Sequence, residues 1–217
     1  MMKRLIIVCE GPTEKEFCMD VLAPHFLQKG ISVNSPLIKH SGGGIVSWRI
    51  LKSQIERHLN EADVVVTTLI DYYGIKDAHL FPCWKESKAV TGNRKKVLFL
   101  EEAMRKELAD SVRYRFFPYL QLHEFESLLF SNIRVFKQNF AESELNYSML
   151  EAAIREFPNP EDINNNPLTA PSKRIEAAIA GYNKVLYGNS LAMDIGLEQL
   201  RTSCPHFNDW ISSLENI

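Results

Sequence analysis

Three apolar, strand-forming runs in this chain each lead into an acidic segment, and few folds accommodate that arrangement. Leu5-Ile6-Ile7-Val8-Cys9 leads into Glu10 and Gly11-Pro12-Thr13-Glu14. Val64 to Ile70 leads into Asp71, and Phe116 to Leu122 leads into His123-Glu124-Phe125-Glu126. The second run is valine-rich and almost wholly apolar, which fits a strand buried on both faces of a parallel sheet. In such a sheet the carboxyl ends of the strands share one edge, and ligands bind in the crevice there. Glu10, Asp71 and Glu124 are therefore expected to converge. Carboxylates brought together repel, and a hard divalent cation is the usual remedy.

The segments between the runs supply helices. Thr13-x-x-Glu16 has the form of a capping box, predicting a helix to about Gln28 with Phe17, Val21, Leu22 and Phe26 inward and a bend at Pro24. A second strand is expected from Ile31 to about Ile38. Gly42-Gly43-Gly44 reads as a hinge loop, since it lacks the spacing of a P-loop. Ile45, Trp48, Leu51, Ile55 and Leu59 are spaced for one helix face. Residues 71–93 read as a long loop anchored by Trp84, followed by a helix from Val97 to Leu108. Pro118 inside the last run suggests an edge strand or a bulge. Beyond Glu124 the strand signal stops: Leu145 to Phe157 reads as a helix, 158–171 as a loop, and the final helix is expected from about Trp210. The expectation is an α/β domain over 1–130, a mostly parallel sheet flanked by helices. A helical subdomain over 131–217 packs on it.

Composition narrows the function. Hydrophobic residues make up 45% and charged residues 24% of 217, ordinary globular values that exclude a mostly disordered chain. With 25 basic and 27 acidic residues the net charge is −2, so nucleic-acid binding needs a local basic patch. The four cysteines form no C-x-x-C pair and no zinc spacing, and they read as reduced thiols of a cytoplasmic protein. No stretch approaches the ~20 apolar residues of a membrane span.

Glu10 is a poor helix cap, so its place at a strand end calls for another role, whereas Glu14 suits a first helical turn. Asp71 is placed for a metal or for a turn before Tyr72-Tyr73-Gly74. Either Glu124 or Glu126 can join the cluster, with Glu124 preferred. His123 is either an acid/base or a packed histidine. Arg94, Lys95, Lys96, Lys173 and Arg174 are candidate phosphate contacts. Tyr182 with Lys184 and the stretch Cys204 to Trp210 read as mainly structural.

The start Glu10-Gly11-x-Thr13-Glu14, the apolar strand into Asp71, and His123-Glu124-Phe125-Glu126 resemble TOPRIM-type metal-dependent folds. The chain resembles an uncharacterised bacterial TOPRIM-like family (domain of unknown function 4276) nearly end to end, including Pro171-Ser172-Lys173-Arg174 and Cys204-Pro205-His206-Phe207. Over about residues 3–126 it is similar to the nuclease domain of overcoming-lysogenisation-defect nucleases. The resemblance implies Mg²⁺ or Mn²⁺ as cofactor, Glu10 as general acid/base or metal ligand, and an AAA- or ABC-type ATPase partner of the kind found in phage-defence modules. TOPRIM enzymes carry an Asp-x-Asp pair; this chain reads Asp71-Tyr72-Tyr73, so the second acid is absent unless Glu124 or Glu126 replaces it. The expected function is a metal-dependent nuclease. The rivals are an inactive module binding an ATPase or nucleic acid, and a small-molecule phosphohydrolase.

Overall fold

Five strands form one sheet in the computed structural model, which describes residues 2–39, 44–163, 166 and 168–217. They are β1 (Lys3–Cys9), β2 (Ile31–Asn34), β3 (Val64–Asp71), β4 (Phe116–Phe117) and β5 (Leu120–Gln121). The order is β2-β1-β3-β4, with β5 also beside β3, and every pairing is parallel. The protein is thus a mixed α/β fold with a parallel sheet flanked by helices. Of the glycine stretch expected as a hinge, Gly42 and Gly43 lie outside the described residues, as do Asn164, Asn165 and Pro167 of the proline-rich loop.

Strand alternation sorts two cores. Ile6 and Val8 face one side of the sheet with Val64, Val66 and Ile70, beneath α3 (Trp48–Leu59) and α5 (Asn93–Lys106). Leu5, Ile7, Cys9 and Leu69 face the other side, together with the N-terminal helical segment and most of the chain after Tyr119. Each fully buried Leu or Ile contributes about 1.5–3 kcal/mol. The remaining helices are α1 (Pro12–Phe17), α2 (Ala23–Gln28), α4 (Trp84–Ser87), α6 (Asp110–Arg113), α7 (Phe136–Asn139), α8 (Tyr147–Glu156), α9 (Pro171–Ala178), α10 (Lys184–Ile195), α11 (Leu197–Ser203) and α12 (Pro205–Glu215). Among the described residues no helix is long and apolar enough to cross a membrane.

Several local expectations shift. The capping box at Thr13 does not form: Gly11 is the N-cap and Pro12 opens α1. Thr13 is buried instead, its methyl 3.2 Å from where a Cβ on Gly188 of α10 would stand. The bend at Pro24 takes the form of a π turn, Cys18–Leu22, in which Ala23 N–H reaches back to the Cys18 carbonyl. Extra backbone in that turn accommodates a proline that cannot donate. The 71–93 loop holds two 3₁₀ turns and α4, pinned where Trp84 Nε1 donates to Asp77 Oδ1 at 2.6 Å. The following helix begins at Asn93 rather than Val97. The last helix begins at Pro205 because Glu161 caps it, its carboxylate accepting from His206 N (2.8 Å) and Phe207 N (2.9 Å).

Pro118 splits the expected fourth strand into β4 and β5. Side chains replace the lost ladder: Thr68 Oγ1 accepts from Tyr119 N at 2.9 Å and donates to Tyr119 O at 2.8 Å. On the outer side of β5, Glu101 Oε1 accepts from Leu120 N at 2.8 Å while His206 Nε2 lies 3.2 Å from both Glu101 Oε1 and Leu120 O. This pair does for the edge strand what a further strand would do. Burial pushes the His206 pKa down, but Glu101 and Glu161 outweigh it and the net shift is upward.

Glu101→Ala should cost about 1–3 kcal/mol, because it strands the buried Leu120 N–H. A raised His pKa contributes stability that is full below about pH 6.5 and is lost as pH rises through the folded value. Denaturant midpoints at pH 6 and pH 8.5 check both points. The wild type loses more of its stability over that interval than Glu101→Ala does, and parallel losses would show that Glu101 does not hold the imidazolium.

Candidate functional site

The parallel β1–β3 register pairs Cys9 with Leu69, and Glu10 N–H continues the ladder to Leu69 O at 3.1 Å. Glu10 and Asp71 therefore leave the sheet side by side. Glu10 Oε2 accepts the Asp71 backbone N–H at 3.0 Å. Asp71 Oδ1 accepts the Phe125 N–H at 2.9 Å, which ties the end of β3 to the segment after β5. Asp71 follows the alternation of Thr67 and Leu69, towards the C-terminal helices. Lys184, in the first turn of α10, lies there: its Nζ is 3.8 Å from Asp71 Oδ2 and 3.1 Å from Glu126 Oε2. Asn183 caps α10 by accepting from Val185 N and Leu186 N at 3.1 Å, which fixes where Lys184 begins.

Two glycines make room for the acids. Gly11 has φ −142°, extended backbone that any residue adopts, so its conformation does not call for glycine. A Cβ there would stand 2.9 Å from Glu14 Oε2, so a side chain at position 11 would push the Glu14 carboxylate out of its place. A Cβ on Gly74 would come within 3.3 Å of Glu10 Oε1. Glu14 is buried and its charge acts on Glu10, Asp71 and Lys184. The residue at the start of a helix thus belongs to the cluster.

Glu126 is fully buried, and no aligned hydrogen bond reaches either of its oxygens; the Lys184 contact is an ion pair. Glu124 turns away, its Oε2 accepting the Ser172 N–H of α9 at 3.0 Å. The structure brings Glu10, Asp71 and Glu126 together around Lys184, with Glu14 beside them. It uses Glu124 to hold the α9 N-terminus against this edge. Among the described residues no group of three His, Cys, Asp or Glu side chains is already set as a metal cage.

His123 adopts φ +62°, a left-handed conformation that His tolerates better than most residues. This turns the chain from β5 into Glu124. The imidazole is buried without an aligned hydrogen bond at either nitrogen, and burial pushes its pKa down against the pull of Asp162 and Glu124. Tyr73, which stands two residues after Asp71 in place of an acid, donates its N–H to His123 O at 3.0 Å.

The basic candidates scatter. Arg94 pairs with Asp209. Lys95 and Lys96 lie in the first turn of α5. Lys173 pairs with Glu176 at 2.5 Å, next to the Ser172 held by Glu124. Arg174 reaches Glu156 at 3.2 Å. Lys184, read from the sequence as structural, is the cation that meets the acids. Its one sequence signal is Asn183, a good N-cap that makes residue 184 a first-turn position.

The electrostatics follow from burial. It pushes the Glu10 carboxyl up to about 7; Glu14 adds to the rise, while the Asp71 N–H and Lys184 oppose it. Burial also holds Asp71 well above the usual carboxylate range and raises Glu126, in both cases against Lys184. Burial alone would lower the Lys184 pKa, but Asp71, Glu126 and Glu14 drive it strongly upward, so it stays an ammonium.

These features define a parallel α/β protein with an acid-rich, lysine-bridged site at the carboxyl edge of its sheet. The family model described as a domain of unknown function (DUF4276) matches residues 9–215, and the chain belongs to that family. No curated protein matches the chain. Among solved structures, the C-terminal region of the Burkholderia pseudomallei OLD protein aligns at TM-score 0.42 and 21% identity, covering 97% of this chain and 100% of that one.

A carboxyl raised to about 7 is a stability cost. The folded state holds a proton that the unfolded state releases, so stability falls as pH rises from about 4.5 to 7. Glu10→Gln should therefore stabilise the protein at pH 8 by about 1–3 kcal/mol and leave it unchanged near pH 4.5. Urea unfolding at both values checks this; equal midpoints at pH 8 would show that Glu10 carries no buried charge.

Proposed function

We propose that the protein is a divalent-metal-dependent phosphodiesterase acting on nucleic acid. The observation that carries this reading is the pairing of Glu10 with Asp71 at adjacent parallel strand ends, with Glu126 and Glu14 beside them. Four carboxylates against one lysine leave an excess of negative charge that a cation relieves. The donors are all oxygens, and Glu126 offers two without aligned partners, which fits Mg²⁺ or Mn²⁺. Glu10, Asp71 and Glu126 would hold the ion. When bound, it supplies Lewis-acid polarisation of the scissile phosphate and stabilises charge on the leaving oxygen.

The chain's own residues do the rest. Glu10 commits only its Oε2 to the Asp71 N–H, which leaves its Oε1 for the ion. Lys184 is partly exposed and permanently charged, so its Nζ offers charge to a phosphate oxygen. Glu124 keeps Ser172 and Lys173 at the rim of the site. His123 stays neutral beneath this edge and sets the turn that carries Glu124 and Glu126. Within the resemblance to TOPRIM proteins, Glu126 takes the place of the absent second Asp, and an ATPase is the expected partner.

A second reading is favoured by one observation: Lys184 already neutralises part of the charge of Asp71 and Glu126. In that reading the lysine replaces the metal and the protein is a binding module. Incubation with plasmid, linear DNA, RNA and bis(p-nitrophenyl) phosphate in Mg²⁺ or Mn²⁺ separates the two. Hydrolysis should fall at least 100-fold in Glu10→Ala and about as far in Lys184→Met, and Mn²⁺ should raise the melting temperature of the wild type but not of Glu10→Ala. Absence of both hydrolysis and metal-induced stabilisation would leave the binding module standing.

A further inference from the structure

The expected basic contacts at Arg94, Lys173 and Arg174 are taken up by Asp209, Glu176 and Glu156. A different basic cluster is unpaired. Lys39, Arg49 and Arg57 line one shallow groove of about 360 Å³ with Ile50, Ser53 and Gln54. All three cations are exposed, and none makes an ion pair among the described residues. The nearest ion pairs on this helix belong to Lys52, which meets Glu56 and Glu107.

The groove is built rather than incidental. Arg49, Ser53 and Arg57 recur every four residues, one stripe of α3. The opposite face of that helix is buried through Trp48, Leu51, Ile55 and Leu59. Gln54 clasps Lys39 as a strand would, accepting from Lys39 N at 2.9 Å and donating to Lys39 O at 3.3 Å. This holds Lys39 alongside the stripe. Arg49 and Arg57 stand about 12 Å apart along the axis, eight residues at 1.5 Å each. At about 3.4 Å per nucleotide that spans three to four nucleotides of one strand.

The groove also points at the acids. Leu37 bridges to Cys9, one residue before Glu10, and Lys39 follows two residues later. A Cβ on Gly74 would touch both Glu10 Oε1 (3.3 Å) and Ile45 Cγ2 (3.7 Å), and Ile45 lies three residues before α3 begins. Arg49 is thus at the end of α3 nearest the carboxylates and Arg57 at the far end.

We propose that Lys39, Arg49 and Arg57 form a phosphate track that carries one strand of the nucleic-acid substrate away from the Glu10–Asp71 site. This rests on the nucleic-acid reading above. Charge complementarity selects the occupant: three unneutralised cations in a row on a chain of net charge −2 suit a polyanion with evenly spaced charges. The contacts are to phosphate, so binding is insensitive to base sequence.

The test is fluorescence anisotropy with a labelled 20-nucleotide single strand and the matching duplex, in EDTA so that no hydrolysis intervenes. The full-length chain should bind with a salt slope that drops by about 1.4–1.8 in Arg49→Glu/Arg57→Glu, two contacts at 0.7–0.9 each. Affinity should fall at least tenfold, while Lys137→Glu, exposed on α7 and outside both the groove and the site, changes it less than threefold. Circular dichroism melts confirm that the variants fold, which the exposure of both side chains favours. Unchanged affinity and slope in the double variant would overturn the track, as would no binding of either oligonucleotide, or equal competition by poly-glutamate. Hydrolysis is scored separately with bis(p-nitrophenyl) phosphate: binding without hydrolysis keeps the track and removes the enzyme, and hydrolysis with unaltered binding does the reverse.

Discussion

Parallel pairing of β1 with β3 is the constraint on which the rest depends. It sets two strand ends level, so that Glu10 and Asp71 emerge together and the N–H of one residue falls to the carboxylate of the other. One register slip would reverse the faces of every side chain on β1 and send Leu5, Ile7 and Cys9 to the wrong core. The apolar alternation that fixes the cores therefore also fixes the site. Burial and chemistry are specified by the same residues.

Bringing acids to a buried edge opposes folding, and the structure answers with local devices. Gly11 and Gly74 leave space where side chains would collide with Glu14 and Glu10. Lys184 supplies one positive charge between Asp71 and Glu126. Backbone N–H groups of Asp71 and Phe125 satisfy one oxygen on each of the two strand-end acids. What remains is a deficit, burial that one lysine does not offset, visible as raised pKa values at Glu10, Asp71 and Glu126. Deficits of this kind are what a structure built only for stability removes.

Local pattern made much of this legible. The valine-rich run before Asp71 could only be a central strand, and Trp48, Leu51, Ile55 and Leu59 could only be one face of a helix. Pro118 pointed to an edge strand or a bulge. Interactions between segments distant in sequence were hidden. Nothing near Lys184 indicates that α10 returns it to Asp71, 113 positions earlier. Glu101 and His206 reveal their service to Leu120 only once α5 and α12 flank the edge. Thr13 and Glu16 had the spacing of a capping box, but the tight approach of Gly188 drew Thr13 into packing instead. The choice of Glu124 over Glu126 turned on side-chain direction across a 3₁₀ segment, where spacing alone does not decide which acid faces the cluster.

The C-terminal helices are more than a cover for the second core. Lys184, the only lysine or arginine within ion-pairing distance of the strand-end acids among the described residues, comes from α10. Ser172, which holds Glu124, comes from α9. The same helices close the sheet through Trp210, which donates to Thr67 at 2.8 Å and stacks on Tyr119 at 4.2 Å. Loss of the Lys184 side chain alone would leave Asp71 and Glu126 buried without a counter-charge, the costliest way to break such a pair. The acid edge and the helices that follow it are therefore one electrostatic unit: the fold that buries the acids also brings the lysine that partly offsets that burial.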